Sequence, residues 1–194
     1  MRTLNLCTAF LLSVATCLQA QVTVVKEGKP VSRILIEKDN SVDNQAALLL
    51  QDFVQRISGA SLPVLTDKSP RGGKDTSGLT EDGFRLKTDN GIVYISSGGD
   101  KGNIYGTVTL LEDYLGVAYY SADAYRLEKR STVVIPELDR AENPAFRYRQ
   151  SQCYALREDP VYKLWFRFEE PSEVFAGGMW VHTFDRIMPS DIYG

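Results

Sequence analysis

An α+β domain, with a mixed or antiparallel sheet layered against two helices, is the fold class the sequence predicts. Three observations lead there. Residues 92–96, Ile-Val-Tyr-Ile-Ser, alternate with the period of a strand. The glycines at 98, 99 and 102 then turn the chain. Ile104, Val108, Leu111 and Leu115 follow at spacings that stack them on one side of an amphipathic helix, with Gly116 where a left-handed cap belongs. Strand, glycine turn, helix and returning strand make one α/β layer unit. Glycines before a helix can also cradle an anion. Neither G-x-x-x-x-G-K-[ST] nor G-x-G-x-x-G occurs, so a tight structural turn is the better reading.

The other elements fall around that unit. Residues 22–25 and 32–36 are short β-branched runs separated by Gly28 and Pro30, giving a hairpin or two sheet strands. Residues 44–58 form a helix with Ala47, Leu50, Val54 and Ile57 as its apolar stripe, Ser41 or Asp43 as cap, and Gly59 as its end. Leu62-Pro63-Val64-Leu65 is a short strand whose proline favours an edge or the first residues. The polar stretch 66–82 reads as a surface loop. Residues 83–88 and 92–96 flank Asp89-Asn90-Gly91, a hairpin signal. Residues 117–120 and 132–135 supply further strands, and 126–130 a solvated strand or turn.

Composition limits the partners. Of 194 residues, 22 are basic and 25 acidic, for a net charge of -3. No basic face is implied, and nucleic acid is not expected as a partner. Met1-Arg2, the apolar run 10–15 and Leu18-Gln19-Ala20 have the order of a secretory signal cleaved before Gln21. Val14-Ala15-Thr16-Cys17 offers a looser lipoprotein-type site, with a lipid anchor on Cys17 as the alternative. A secreted or periplasmic protein, or a lipoprotein at the cell envelope, is the expectation; no later run is long enough to span a bilayer. Cys153 is then the single thiol of the mature chain, which reads as an inert buried residue rather than a nucleophile. One histidine rules out H-E-x-x-H, and neither metal nor cofactor is expected.

Three segments carry a family resemblance: Ile57-Ser58-Gly59-Ala60-Ser61-Leu62-Pro63-Val64, Asp82-Gly83-Phe84-Arg85-Leu86 and Gly106-Thr107-Val108-Thr109-Leu110-Leu111. In order and spacing they resemble the non-catalytic N-terminal domain that precedes the barrel in family 20 β-N-acetylhexosaminidases and in α-glucuronidases. Asn143-Pro144-Ala145-Phe146-Arg147-Tyr148-Arg149 resembles the approach to the first barrel strand. Residues 177–184, with Met188-Pro189 and Tyr193, resemble an early loop of the domain-of-unknown-function 4838 group. The resemblance implies a signal peptide over 1–20, an accessory α/β domain over 21–140, and over 141–194 the start of a (β/α)8 barrel. A whole barrel takes about 250 residues, so the expectation is the front end of a longer, glycan-degrading enzyme, itself lacking the catalytic carboxylates.

Glycoside hydrolysis uses two carboxyl groups at a fixed separation. Glu81-Asp82 and Glu112-Asp113 are adjacent acidic pairs, but one lies at a hairpin entrance and the other on the exposed side of a helix, where solvated charges are expected. The resemblance places substrate contacts at Arg149 and Arg157, which keep the eight-residue spacing of two family arginines; a guanidinium offers several donors in one plane. Gln150, Tyr154 and Glu158 depart from the family pattern, and a salt-bridged structural arginine is the alternative. His182, between Trp180 and Phe184, is a further candidate, since aromatic faces and polar tips suit sugars; a hydrogen-bonded packing histidine is the alternative. Two function classes remain open: the leading part of a secreted glycoside hydrolase with a glycan substrate, or a non-catalytic module binding carbohydrate or protein. The apolar crowd of Trp165, Phe166, Phe168, Phe175, Met179, Trp180, Phe184, Ile187 and Met188 calls for a covering surface.

Overall fold

The computed structural model describes residues 21–37, 40–67, 75–151, 153, 158–169 and 187–193. Ten strands and four helices lie among them. Strand β1 (Val22–Lys26) turns back on β2 (Lys29–Pro30) and pairs on its other side with β9 (Val133–Ile135), both antiparallel. A second sheet has the order β10-β5-β6, from Asp139–Glu142, Phe84–Asp89 and Ile92–Ser97. Two smaller pairs complete the strands: β3 (Ile34–Ile36) with β4 (Val64–Thr66), parallel, and β7 (Ala118–Ser121) with β8 (Ala124–Arg126), antiparallel. The mixed α+β class is as expected, with one parallel pair among antiparallel ones.

The expected 83–96 hairpin forms, and its turn has the backbone that the sequence suggests: Asn90 and Gly91 have φ of 49° and 75°. Two consecutive left-handed residues match the right-handed twist of the flanking strands. Helix α1 (Ser41–Ser58) begins three residues earlier than the apolar pattern indicates. Its cap is neither Ser41 nor Asp43 but Asn40, whose Oδ1 accepts from the Asp43 amide at 2.8 Å. Gly59 ends it at φ 77°. The buried face also differs in part: Ala46, Leu49 and Phe53 join Ala47, Val54 and Ile57, while Leu50 is half-buried.

Helix α2 (Gly102–Thr109) continues into a π-helical turn, Leu110–Tyr114, before Gly116 at φ 71°. The expected stripe of Ile104, Val108, Leu111 and Leu115 is buried. So are Tyr105, Thr107, Thr109 and Leu110, so the helix is not amphipathic but enclosed all round, as befits a central helix. It packs on β5 and β6, on α1, and on a short helix α3 (Pro160–Trp165) that the periodicity did not reveal. Two helices were expected; α3 and an exposed terminal turn α4 (Ser190–Tyr193) add to them.

The glycines of the α2 motif are packing residues. A Cβ on Gly106 would come 2.6 Å from Ile95 Cγ2 and 3.3 Å from Phe84 Cδ2, and one on Gly102 would strike the Gly83 carbonyl. This close approach accounts for glycine at both positions.

Strand β10 runs across residue 140 and pairs with β5, in register from Asp139↔Lys87 to Glu142↔Phe84. Beyond it, among the described residues, the extended pairing is a single bridge between Arg149 and Glu169. Of the apolar residues expected to need a covering surface, Trp165 is already in the core, 2% exposed, its ring 5.0 Å from Phe53 and 5.3 Å from Tyr119. Phe166, Ile187 and Met188 stay exposed; Phe175, Met179, Trp180 and Phe184 lie outside the described residues. Cys153 is exposed rather than buried. Among the described residues no helix is long and apolar enough to cross a membrane.

Gly106→Ala tests the close approach. Alanine would ordinarily favour a helix interior by about 1 kcal/mol. Overpacking against Ile95 and Phe84 reverses the sign, and we expect a net loss of about 1–3 kcal/mol in urea unfolding.

Candidate functional site

The candidate site forms where the N-terminus of α2, the loop before β5, residues 144–149 and Glu169 meet. Lys101 caps the start of α2 and Tyr105 lies in its first turn, Asp82 comes from the loop before β5, and Arg149 and Glu169 from the two sides of the isolated bridge. Each member of that bridge donates its amide to the other's carbonyl at 2.8 Å, which fixes the two side chains next to each other.

Arg149 faces inward, its side chain 17% exposed. Nε donates to the Arg167 carbonyl at 2.7 Å, Nη1 to the Phe146 carbonyl, and Nη2 to Asp82 Oδ2 at 2.8 Å and Tyr105 Oη at 3.3 Å. The guanidinium also lies 5.5 Å from the centre of the Tyr105 ring. Burial works against the charge, but the hydrogen bonds with Asp82 and Tyr105 outweigh it, so Arg149 holds its proton more firmly than a free arginine. Tyr105 donates to Glu169 Oε2 at 3.2 Å, and Glu169 is ion-paired with Lys101. Burial, with the carboxylates of Glu169 and Asp82 adding to it, raises the Tyr105 phenol above its usual range.

Around this network lies an open cleft of about 530 Å³, bordered by Asp82, Lys101, Phe146, Arg147, Arg149 and Glu169. Phe146 is 75% exposed at its rim. A flat aromatic face beside paired charges and carbonyls can hold a polar ring compound by stacking and hydrogen bonding. Of the residues expected to touch substrate, Arg149 is in this cleft; Arg157, Trp180 and His182 lie outside the described residues. Among the described residues no group of three or more His, Cys, Asp or Glu could hold a metal.

Neither acidic pair is simply solvated. Asp82 is half-buried against Arg149, while Glu81 is exposed. Glu112 is half-buried on the π-helical turn and accepts from Trp165 Nε1. Burial pushes its carboxyl above the usual range, opposed by the indole N–H and Arg167. Asp113 pairs with Arg140 at 2.6 Å. The expectation failed because those partners come from 27 to 67 residues away and leave no local pattern. Tyr105 and Lys101 were missed for a similar reason: both sit off the apolar stripe of α2.

No protein-family model matches the sequence, and no curated protein matches it. Among solved structures, the chain is similar to the Streptomyces plicatus N-acetyl-β-hexosaminidase in complex with Thio-NAglucal, at 16% identity and a TM-score of 0.47 over 68% of this chain and 25% of that one. It is also similar to an inactive mutant of the GH20 exo-β-N-acetylglucosaminidase from Vibrio harveyi, at 22% identity and a TM-score of 0.43 over 66% of this chain and 18% of that one. The matched part therefore spans a quarter or less of either enzyme.

Two variants test the network. Asp82→Asn leaves a half-buried guanidinium without its counter-ion, and we expect a loss of about 1–3 kcal/mol in urea unfolding. Because the folded-state pKa of Tyr105 is raised, its contribution is complete below the ordinary phenol value of 10.0 and is lost as pH rises above it. Urea midpoints measured from pH 8 upward should fall more steeply above pH 10 in the natural chain than in Tyr105→Phe.

Proposed function

We propose that this chain is the N-terminal portion of a secreted glycoside hydrolase-like protein acting on glycans. In this reading the α/β layer is an accessory domain supporting a glycosidase barrel, and the chain by itself is inactive. One observation carries the proposal: two of the three segments whose order resembles the hexosaminidase and α-glucuronidase accessory domain, 82–86 and 106–111, pack directly on each other. The 82–86 segment leads into β5, the 106–111 segment forms the body of α2, and Gly106 sits against Phe84 and Leu86 of that strand. The 57–64 segment ends α1 and leads into β4. The residues that carry the resemblance are those a close-packed helix and sheet require.

The candidate cleft fits an inactive front portion. Its two half-buried carboxylates, Asp82 and Glu169, are each ion-paired, with Arg149 and Lys101. In family 20 the substrate's own acetamido group replaces the attacking carboxylate, but the reaction still needs a carboxyl free to give a proton. Arg149, with Phe146 at the rim, is the group here suited to hold a sugar. Export through the N-terminal signal, with a glycan as the partner, belongs to the same reading.

Reading the genomic DNA through the codon for Gly194 tests it. The expected result is an open frame with further barrel strands and an adjacent Asp-Glu pair; a stop codon at that point overturns the accessory role. The purified chain should release no p-nitrophenol from p-nitrophenyl β-N-acetylglucosaminide, and turnover would show that it is catalytic on its own.

A further inference from the structure

Residues 159–169 are attached to the layer by side-chain contacts around a single buried residue. Among the described residues, no hydrogen bond between two backbone groups joins them to residues 21–142; their backbone-to-backbone bonds run within the segment or to Arg149, and the Ala122 amide reaches only the Asp159 side chain. The attachment is through side chains. Trp165 packs against both Phe53 and Tyr119 and donates Nε1 to Glu112. Asp159 accepts from Tyr119 Oη at 2.6 Å, Arg167 donates Nη2 to Thr109 Oγ1 at 2.6 Å, and Glu169 pairs with Lys101. Trp165 is the only buried residue of the segment; Pro160, Lys163 and Phe166 are exposed and the rest are half-buried.

The segment also contains an unfavourable residue. Arg167 follows α3 where a left-handed residue is needed, at φ 55°, a position normally given to glycine. Its Nε is buried without a hydrogen-bond partner. Strain and an unmet donor thus coincide on the residue that leads the chain away from the helix. A segment with a single buried side chain and few apolar contacts can open below the free energy of global unfolding, and the strain at Arg167 lowers the cost of its opening.

We propose that residues 159–169 are a detachable strap, which opens as a unit while the α/β layer stays folded and uncovers a socket formed by Phe53, Tyr119 and Glu112. When closed, Trp165 fills that socket, and α3 completes the enclosure of α2. The strap sets whether the aromatic face of the layer is covered. Its opening is independent of any catalytic role for the protein.

Native-state hydrogen exchange on the full chain tests the proposal. The amides of Lys163, Phe166 and Phe168 are hydrogen-bonded within the strap. They should nonetheless exchange at least about tenfold faster than those of β5, after correction for intrinsic rates, if the strap opens alone. Glu112→Leu, which removes the indole's acceptor, should speed the strap amides a further several-fold and leave β5 unchanged. Thr109→Val, which removes only a hydroxyl, guards against misfolding of the first variant and should act in the same direction. A common exchange rate for strap and β5 in the natural chain, or equal acceleration of both in the variants, would overturn the proposal.

Discussion

The approach of α2 to the β5-β6 hairpin is the constraint on which the other elements depend. Gly102 and Gly106 remove the side chains that would hold helix and strands apart, and Ile95, Phe84 and Leu86 fill the space against bare backbone. A helix brought so close has every face within reach of something. The remaining faces are covered by α1, by α3 with Trp165, and by Arg167 just after it. Interiors of this density tolerate little change of volume, so glycine at 106 is set by the sheet beneath it as much as by the helix.

The same arrangement explains why charges gather at one end of α2. Lys101 and Tyr105 emerge where the helix meets the loop before β5, and Asp82 waits on that loop. Arg149 and Glu169, locked together by reciprocal main-chain bonds, insert between them. Positive and negative groups alternate through the cluster, so each buried charge has an opposite neighbour, which is the condition for burying any of them. The cleft is thereby close to neutral, with a large aromatic ring at its mouth.

Local pattern made most of the layer legible. The β5-β6 hairpin, the four stripe residues of α2, the caps at Gly59 and Gly116, and the strands around residues 22, 34, 118 and 133 follow from periodicity and turn chemistry. What was not legible depends on partners distant in sequence. Nothing near Asp82 announces Arg149, 67 residues on, and nothing near Glu112 announces Trp165. Helix α3 is six residues long, too short for an apolar period, yet Asp159-Pro160 carried a start signal: an acceptor that caps the Val161 and Tyr162 amides, then proline in the first turn. Arg149 stood out by its resemblance, but four acceptors around its guanidinium are a tertiary fact.

The pairing of β1 with β9 has a consequence for how the chain comes into being. Val22 lies opposite Ile135, so the first strand of the layer cannot find its place until more than a hundred further residues have been synthesised. Helix α1 and the β5-β6 hairpin can form early from local contacts, but closing the sheet waits on the largest loop in the domain. Until then the apolar edge of β1, with Val22, Val24 and Val25 all destined for burial, stays open to whatever holds a nascent chain.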